Sequence, residues 1–339
     1  MDRVDRIIRA NSPDRAGHLL VVDAPELVEP ASRLTGRVSV WCDDIRDARR
    51  VATGLLIDRL DAGALAGVDL VWLRLPPALA ALDEYAATVA CHAHRTVRLI
   101  AGGRNKYLTR STTEVLGRHF AQVRGSLGAQ NSRALLASGP IPVATGWPRR
   151  RILRGADIGL ADDLVQWSHG ATFAAGRLDA GTRLLIAQLP LVAEAGRYLD
   201  LGCGSGVLAT VLARRHPGAE VFAVDASRAA VSATRRTAAG TQVVTSWAAD
   251  LAGFGAGELD VIVCNPPFHR GTAKDSQPAQ AMFAEAARTL GEGGEFWCVF
   301  NSHLPWRNRL ARLIGPTSLI GQDRRYTVTR SVRRLTRPG

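Results

Sequence analysis

The sequence predicts an α/β fold built from two similar halves, each with a mostly parallel sheet. Three observations predict it. Short apolar runs alternate with longer helix-patterned stretches along all 339 residues. A glycine cluster, Gly202, Gly204 and Gly206, joins one apolar run to the helical stretch behind it. A paired proline follows an apolar strand twice, in "VDLVWLRLPP" and in "LDVIVCNPPF". Around each pair the order is acid, strand, Pro-Pro, helix, strand, which reads as a degenerate duplication.

The elements follow from residue pattern. In the first half, runs at 18–23, 37–42, 68–75 and 96–102 are apolar, rich in β-branched residues and bounded by polar turns, so they predict strands. Helical spacing predicts helices over 47–57 and 78–93. In the second half the same reading predicts strands at 196–202, 220–225, 241–246, 259–265 and 294–301. Helices are predicted over 206–216 and 227–238 and around 279–290. The stretch 136–159 is rich in Pro, Gly and Arg and reads as a linker. The expected division is therefore a domain at 1–140, a linker at 141–165 and a domain at 166–339.

Apolar residues make up 46% and charged ones 22%, which excludes long disorder. The net charge of +12 points to a polyanionic partner, nucleic acid ahead of a membrane surface. The five cysteines are scattered without a CxxC pair, so reduced thiols are expected, with neither disulfide nor metal site. The start of the chain is charged and lacks a signal-peptide core, and no apolar stretch reaches spanning length. A cytoplasmic chain with no membrane attachment is expected.

In "LDLGCGSGVLA" (199–209), glycines permit a sharp turn and let the backbone approach a ligand beside the positive end of the next helix. The dinucleotide fingerprint G-x-G-x-x-G is not met, because its last glycine falls on Val207. Asp200 precedes the loop. Asp225 ends the next strand, where its carboxylate can accept from both ribose hydroxyls. Asp250 follows the third strand and can accept from an adenine amino group. In this order the residues point to S-adenosylmethionine as cofactor. A nicotinamide oxidoreductase is disfavoured by Val207 and by the lack of a hydride-relay set.

"NPPF" (265–268) ends the fourth strand of the second half. Each proline holds the residue before it extended. The Asn265 side-chain carbonyl and the Pro266 main-chain carbonyl can then share one small space as uncharged acceptors. Such a pair suits an exocyclic amine, whose hydrogens it can grip so that the lone pair faces a methyl sulfonium. Phe268 can stack on the planar group. His269 ranks behind these three as a proton acceptor.

Together "FAAGRLDAGTRLLI", "DLGCGSGVLA", "AVDAS", "CNPPFH" and "GEFWCVFNSHLPW" resemble the ribosomal RNA guanine-N2 methyltransferases of the RsmC/RlmG type. The resemblance runs from about residue 167 to the end and more weakly into the first half, where it is closer to the large-subunit branch. It implies two Rossmann-like class I methyltransferase domains in tandem, the first degenerate and the second catalytic. It implies that Asn265, Pro266 and Phe268 grip the guanine amine. It also implies that Asp200, Gly202, Gly204, Asp225 and Asp250 line the cofactor site, with Gly206 completing the loop. Phe173 and Asp179 match the segment before the loop that closes over the cofactor. Family members often carry Asn at the Asp250 position, so that match is the loosest.

Reaching a guanine amine inside folded RNA requires acting on a loop or flipping the base out, with a grip on flanking phosphates. From 91 to 156 the chain carries twelve Lys and Arg residues and a single acid, Glu114. The first half, through Arg104, Lys106 and Arg110, is expected to clamp RNA by its phosphates. The expected partner is ribosomal RNA or a ribosomal subunit, large rather than small, met by a monomer. Asn-Pro-Pro-aromatic also serves methylation of adenine in nucleic acid or of protein glutamine, so those substrates stay open here. So does a non-catalytic RNA-binding assembly protein, which the intact Asn265 and glycine loop argue against.

Overall fold

The computed structural model describes residues 1–144, 146–267 and 277–334. The chain forms two compact units, 1–148 with 169–171 and 149–168 with 172–339. In the first, β1 (Leu19–Val22), β2 (Val38–Trp41), β3 (Leu70–Arg74), β4 (Arg98–Arg104), β5 (Phe120–Gly125) and β6 (Ser132–Pro140) form one sheet. Its order is β2-β1-β3-β4-β6-β5. The first four are parallel, and β6 runs antiparallel to both β4 and β5.

The second unit opens with an antiparallel hairpin, β7 (Arg149–Leu153) and β8 (Leu164–Ser168). Its main sheet holds β9 (Arg197–Leu201), β10 (Glu220–Asp225), β11 (Val243–Trp247), β12 (Leu259–Cys264), β13 (Leu290–Asn301), β14 (Thr317–Gln322) and β15 (Tyr326–Val332). The order is β11-β10-β9-β12-β13-β15-β14, parallel through β13, with β15 antiparallel to its neighbours. The two sheets correspond strand for strand, except that β11 has no counterpart in the first. The duplication legible in the paired prolines is therefore present in the topology, and one strand of the first copy is missing.

The second sheet is covered on both faces, which is why its strands read as continuous apolar runs. Val261, Val263, Trp297 and Val299 point into one core with the helices Ala180–Ile186 and Val207–Arg215. The alternate residues Ile262, Cys264, Phe296 and Cys298 point into the other, with Phe283 and Trp306. Period-2 alternation thus serves two cores instead of one core and solvent.

Two expectations change. The linker expected over 141–165 is structured from Arg149 onward, as the first strand of the hairpin. β7 exposes four of its five residues, so only pairing with a strand more than ten residues on makes it a strand. The helix expected over 47–57 is a single turn, Ile45–Ala48, followed by a 3-10 turn, Thr53–Leu55. Asp44 caps early, accepting from Arg46 N at 2.8 Å. Beyond it Leu56 bridges Val40 and Ile57 N donates to Val40 O at 2.8 Å. That sheet-edge pairing wins over a stretch holding Val51, Thr53 and Gly54, all poor helix formers. Among the described residues no helix is long and apolar enough to cross a membrane.

Candidate active site

Strand order reverses between β9 and β12, so the chain leaves a crevice outside the carboxyl ends of these two strands. The glycine loop follows β9 there and Asn265 follows β12. Asp225 is the last residue of β10, and Asp250 lies in the turn beyond β11, on the same sheet edge.

The loop is built on left-handed backbone. Gly202, Gly204 and Gly206 have φ of +78°, +55° and +75°, values that cost other residues about 1–2 kcal/mol. The space above the first two is open to a ligand's approach. A side chain on Gly202 would first meet Met282 Cε at 3.4 Å, and one on Gly204 only Phe173 Cβ at 4.0 Å. Gly206 differs, because its Cβ would lie 2.7–2.9 Å from Thr234. Gln166 Nε2 pins the loop from the hairpin, donating to Ser205 Oγ at 2.8 Å.

Asp200 is fully buried beneath the loop. Its Oδ2 accepts from Ala209 N at 3.0 Å, tying the strand end to the helix start, while Oδ1 has no partner among the described residues. Burial, reinforced by the charge of Asp225, pushes this carboxyl up to about 7. Asp225 is held by backbone donors, with Oδ2 accepting from Gly204 N at 2.9 Å and Oδ1 from Ser227 N at 2.8 Å. Asp250 is half-buried and accepts from Ala252 N at 3.2 Å. Nearby, the Arg228 guanidinium lies 3.9 Å from the Trp247 ring centroid and Trp247 Nε1 donates to Ala226 O at 2.8 Å. Sequence reasoning missed this wall, because neither residue stands in a motif.

Before the loop, Phe173 is 57% exposed and opens a turn in which Ala174, Ala175 and Gly176 all have positive φ. Two alanines in that region store strain, which marks a functional segment more often than a plain connector. Asp179 caps the helix Ala180–Ile186, its Oδ2 accepting from Gly181 N at 2.9 Å and Thr182 N at 3.2 Å.

Asn265 Nδ2 donates to Thr182 Oγ1 at 2.8 Å and to Asp179 Oδ2 at 3.2 Å. Asn265 Oδ1 is a buried acceptor with no partner among the described residues. Pro266 is buried and Pro267 exposed. Phe268 and His269 lie outside the described residues. Thr182 stood in the quoted sequence motif but drew no attention, since its contact with Asn265 spans 83 positions.

These residues fit S-adenosylmethionine. The orphaned Asp200 oxygen can face its cationic end, the open glycines can admit its body, and Asp225 stands at the end of β10 on the same sheet edge. Methyl transfer from a sulfonium asks for a cradle and for a group that aligns the nucleophile, and this sheet edge has the glycine loop for the one and the Asn265 acceptor for the other. The chain is an S-adenosylmethionine-dependent methyltransferase.

The Methyltransferase small domain family matches residues 163–330, and the RLMG N-terminal domain family matches 55–140. The chain is 34% identical over 274 residues to the ribosomal RNA large subunit methyltransferase G of Streptomyces avermitilis, covering 79% of this chain and 72% of that one. It is 33% identical over 275 residues to the protein of that name from Pseudomonas aeruginosa, with the same coverage. It belongs to the ribosomal RNA large subunit methyltransferase G family. The T. thermophilus 16S rRNA N2 methyltransferase RsmC, solved with AdoMet and guanosine, shares the fold, with a TM-score of 0.80 over 98% of this chain and 92% of that one at 23% identity.

The Asp200 proton gives a first prediction. The folded chain holds it up to about pH 7, whereas an unfolded carboxyl loses it near 4. Its contribution to stability therefore falls as pH rises from about 4 to about 7 and is level above that. A cationic cofactor favours the carboxylate, so S-adenosylmethionine is expected to bind with release of a proton at pH 6. Titration calorimetry in two buffers of different ionisation enthalpy measures that release, and Asp200→Asn should abolish it.

Proposed function

We infer that this chain methylates the exocyclic 2-amino group of a guanine in large-subunit ribosomal RNA. The observation that carries the reading is the Asn265 amide, whose nitrogen is engaged and whose oxygen is left as a buried acceptor across from the glycine loop. S-adenosylmethionine, when bound, supplies a methyl group on a positively charged sulfur. Asn265 Oδ1 and the Pro266 carbonyl accept the two hydrogens of the guanine amine and turn its lone pair toward that carbon. Transfer to the amine would leave the electron pair of the S–C bond on sulfur and place positive charge on the nitrogen that these two oxygens face. The two oxygens stabilise that charge until one proton leaves to water. Asp225 and Asp250 hold the ribose and adenine, Phe173 closes over Gly204, and Phe268 stacks on the guanine.

The first unit acts in this reading as the RNA clamp. Arg104 and Lys106 are exposed and have no ion-pair partner among the described residues. Lys106 Nζ lies 4.8 Å from the centroid of Tyr107, which is 61% exposed, so cation and aromatic face are presented together. Arg110 has a local partner. Its Nε lies 2.8 Å from Glu114 Oε1, so its charge is already shared. Reversing Arg104 and Lys106 to Glu is expected to weaken RNA binding more than tenfold. It should also lower the salt slope of log K by about 2, with S-adenosylmethionine affinity unchanged. Arg110→Glu alone should do less. Filter binding across a salt series measures both. The same reading makes the chain a cytoplasmic monomer whose partner is ribosomal RNA or a ribosomal subunit.

Transfer of labelled methyl to deproteinised 23S RNA, 16S RNA and isolated subunits tests the function. Large-subunit RNA or particles should accept the label. Label confined to 16S RNA, or found in protein, would overturn the reading.

A further inference from the structure

We propose that Asp179 and Thr182 are positioning residues that fix which way the Asn265 amide faces, and so make its oxygen the acceptor for the substrate amine. The proposal rests on the function inferred above and assigns Asp179 a role apart from the cofactor. The two ends of an asparagine amide have nearly the same shape, but only one accepts a hydrogen bond. A turned amide would present N–H to the amine's own N–H, and the grip would become a repulsion. Something must therefore choose the orientation.

The structure shows what does. Nδ2 has two hydrogens, and two acceptors take them: Thr182 Oγ1 at 2.8 Å and Asp179 Oδ2 at 3.2 Å. With both used, Oδ1 alone is left to face a ligand, and it is buried without a partner among the described residues. Asp179 is itself immobilised by Gly181 N and Thr182 N. A carboxylate on the amide nitrogen also draws electron density toward Oδ1, which strengthens it as an acceptor for an amine gaining positive charge.

The first unit supplies a second, independent observation. There the helix Arg3–Ala10 also precedes the first strand, and Asp2 caps it by accepting from Val4 N and Asp5 N at 2.8 and 3.0 Å. It packs on β4 and β6, as the helix Ala180–Ile186 packs on β13 and β15. Its cap residue and the third residue after the cap, Asp2 and Asp5, both reach the end of β3 and pair with Arg74. Asp179 and Thr182 hold the same two positions in the second unit and reach Asn265. The duplicated fold thus brings one bracket to one strand end in both copies. In the first it is closed by an ion pair, and in the second it holds an amide with its oxygen free.

The test uses the full chain. Asp179 Oδ2 accepts both cap bonds and the Asn265 hydrogen, so Asp179→Asn, whose oxygen keeps the cap, keeps the acceptor as well, and Asp179→Ala removes it. We expect kcat to fall about 10²-fold in Asp179→Ala and little in Asp179→Asn, with the dissociation constant for S-adenosylmethionine little changed in both. Thr182→Val should lower kcat about tenfold, and Thr182→Ser, which keeps the oxygen, should recover most of it. In an Asn265→Ala background, Asp179→Ala should cost no further activity. A cofactor affinity that falls in step with activity, an unchanged kcat in Asp179→Ala, or additive losses in the double variant would each overturn the proposal. A substrate-free readout separates it from the function itself. The Asn265 side-chain NH2 resonance, assigned by its loss in Asn265→Ala, should exchange slowly with water in the wild type and quickly in Thr182→Val. Fast exchange in the wild type sinks the bracket whatever the substrate proves to be.

Discussion

Asn265→Ala is expected to lower the rate of methyl transfer by about 10²–10³-fold, the loss typical of deleting one aligned polar group that faces developing charge. The substitution removes Oδ1, which is buried at the end of β12 without a partner among the described residues. The Asn265 hydrogen bonds go to Asp179 and Thr182 and not to the glycine loop or Asp225, so titration with S-adenosylmethionine should give an affinity within about threefold of the wild type. The split between the two measurements carries the meaning. A fall in kcat with cofactor binding intact places Asn265 on the accepting amine. A parallel fall in both places it on the cofactor or in the fold, and contradicts the account.

Gly206→Ala is expected to lower stability and cofactor binding together. Its φ of +75° disfavours any side chain, and a methyl group there would lie 2.7 Å from Thr234 Cγ2 and 2.8 Å from Thr234 Cα. The backbone term of about 1 kcal/mol and an overpacking term of about 1–3 kcal/mol add to roughly 3 kcal/mol. Thr234 cannot step aside freely, because its hydroxyl donates to Gly204 O at 3.2 Å and lies 3.2 Å from Cys203 Sγ. Displacing it deforms the loop that admits the cofactor, so affinity for S-adenosylmethionine should fall together with the thermal midpoint, the latter by on the order of 10 °C. Gly218→Ala is the control, since nothing lies within 4 Å of the added methyl and its backbone is not left-handed. A Gly206→Ala chain that melts and binds like the control would show that the loop has a conformation other than the one described.

What the sequence revealed was local, and what it hid was paired at long range. The parallel strands were legible because both faces are covered, which leaves continuous apolar runs such as Leu259–Cys264. The antiparallel strands β5 and β14 were not, because each exposes half or more of its residues and carries no buried stripe. The Arg149–Leu153 strand read as linker for the same reason. The glycine loop, Asp200, Asp225 and Asn265 were legible because each stands where a strand meets a turn of unusual composition. Asp179 was found by resemblance, but its contact with Asn265 was not, since 86 residues separate them and only the fold closes that gap. Thr182, Gln166 and Trp247 were passed over on the same physical ground. Their chemistry lies in a distant partner and not in the neighbouring sequence.

The most direct measurement is the nucleoside composition of large-subunit RNA, taken from cells lacking this protein and incubated with S-adenosylmethionine and the purified chain. Digestion and mass spectrometry should show N2-methylguanosine formed by the wild type and not by Asn265→Ala. A methylated adenosine in its place, or the same yield of N2-methylguanosine from the variant, would contradict the account.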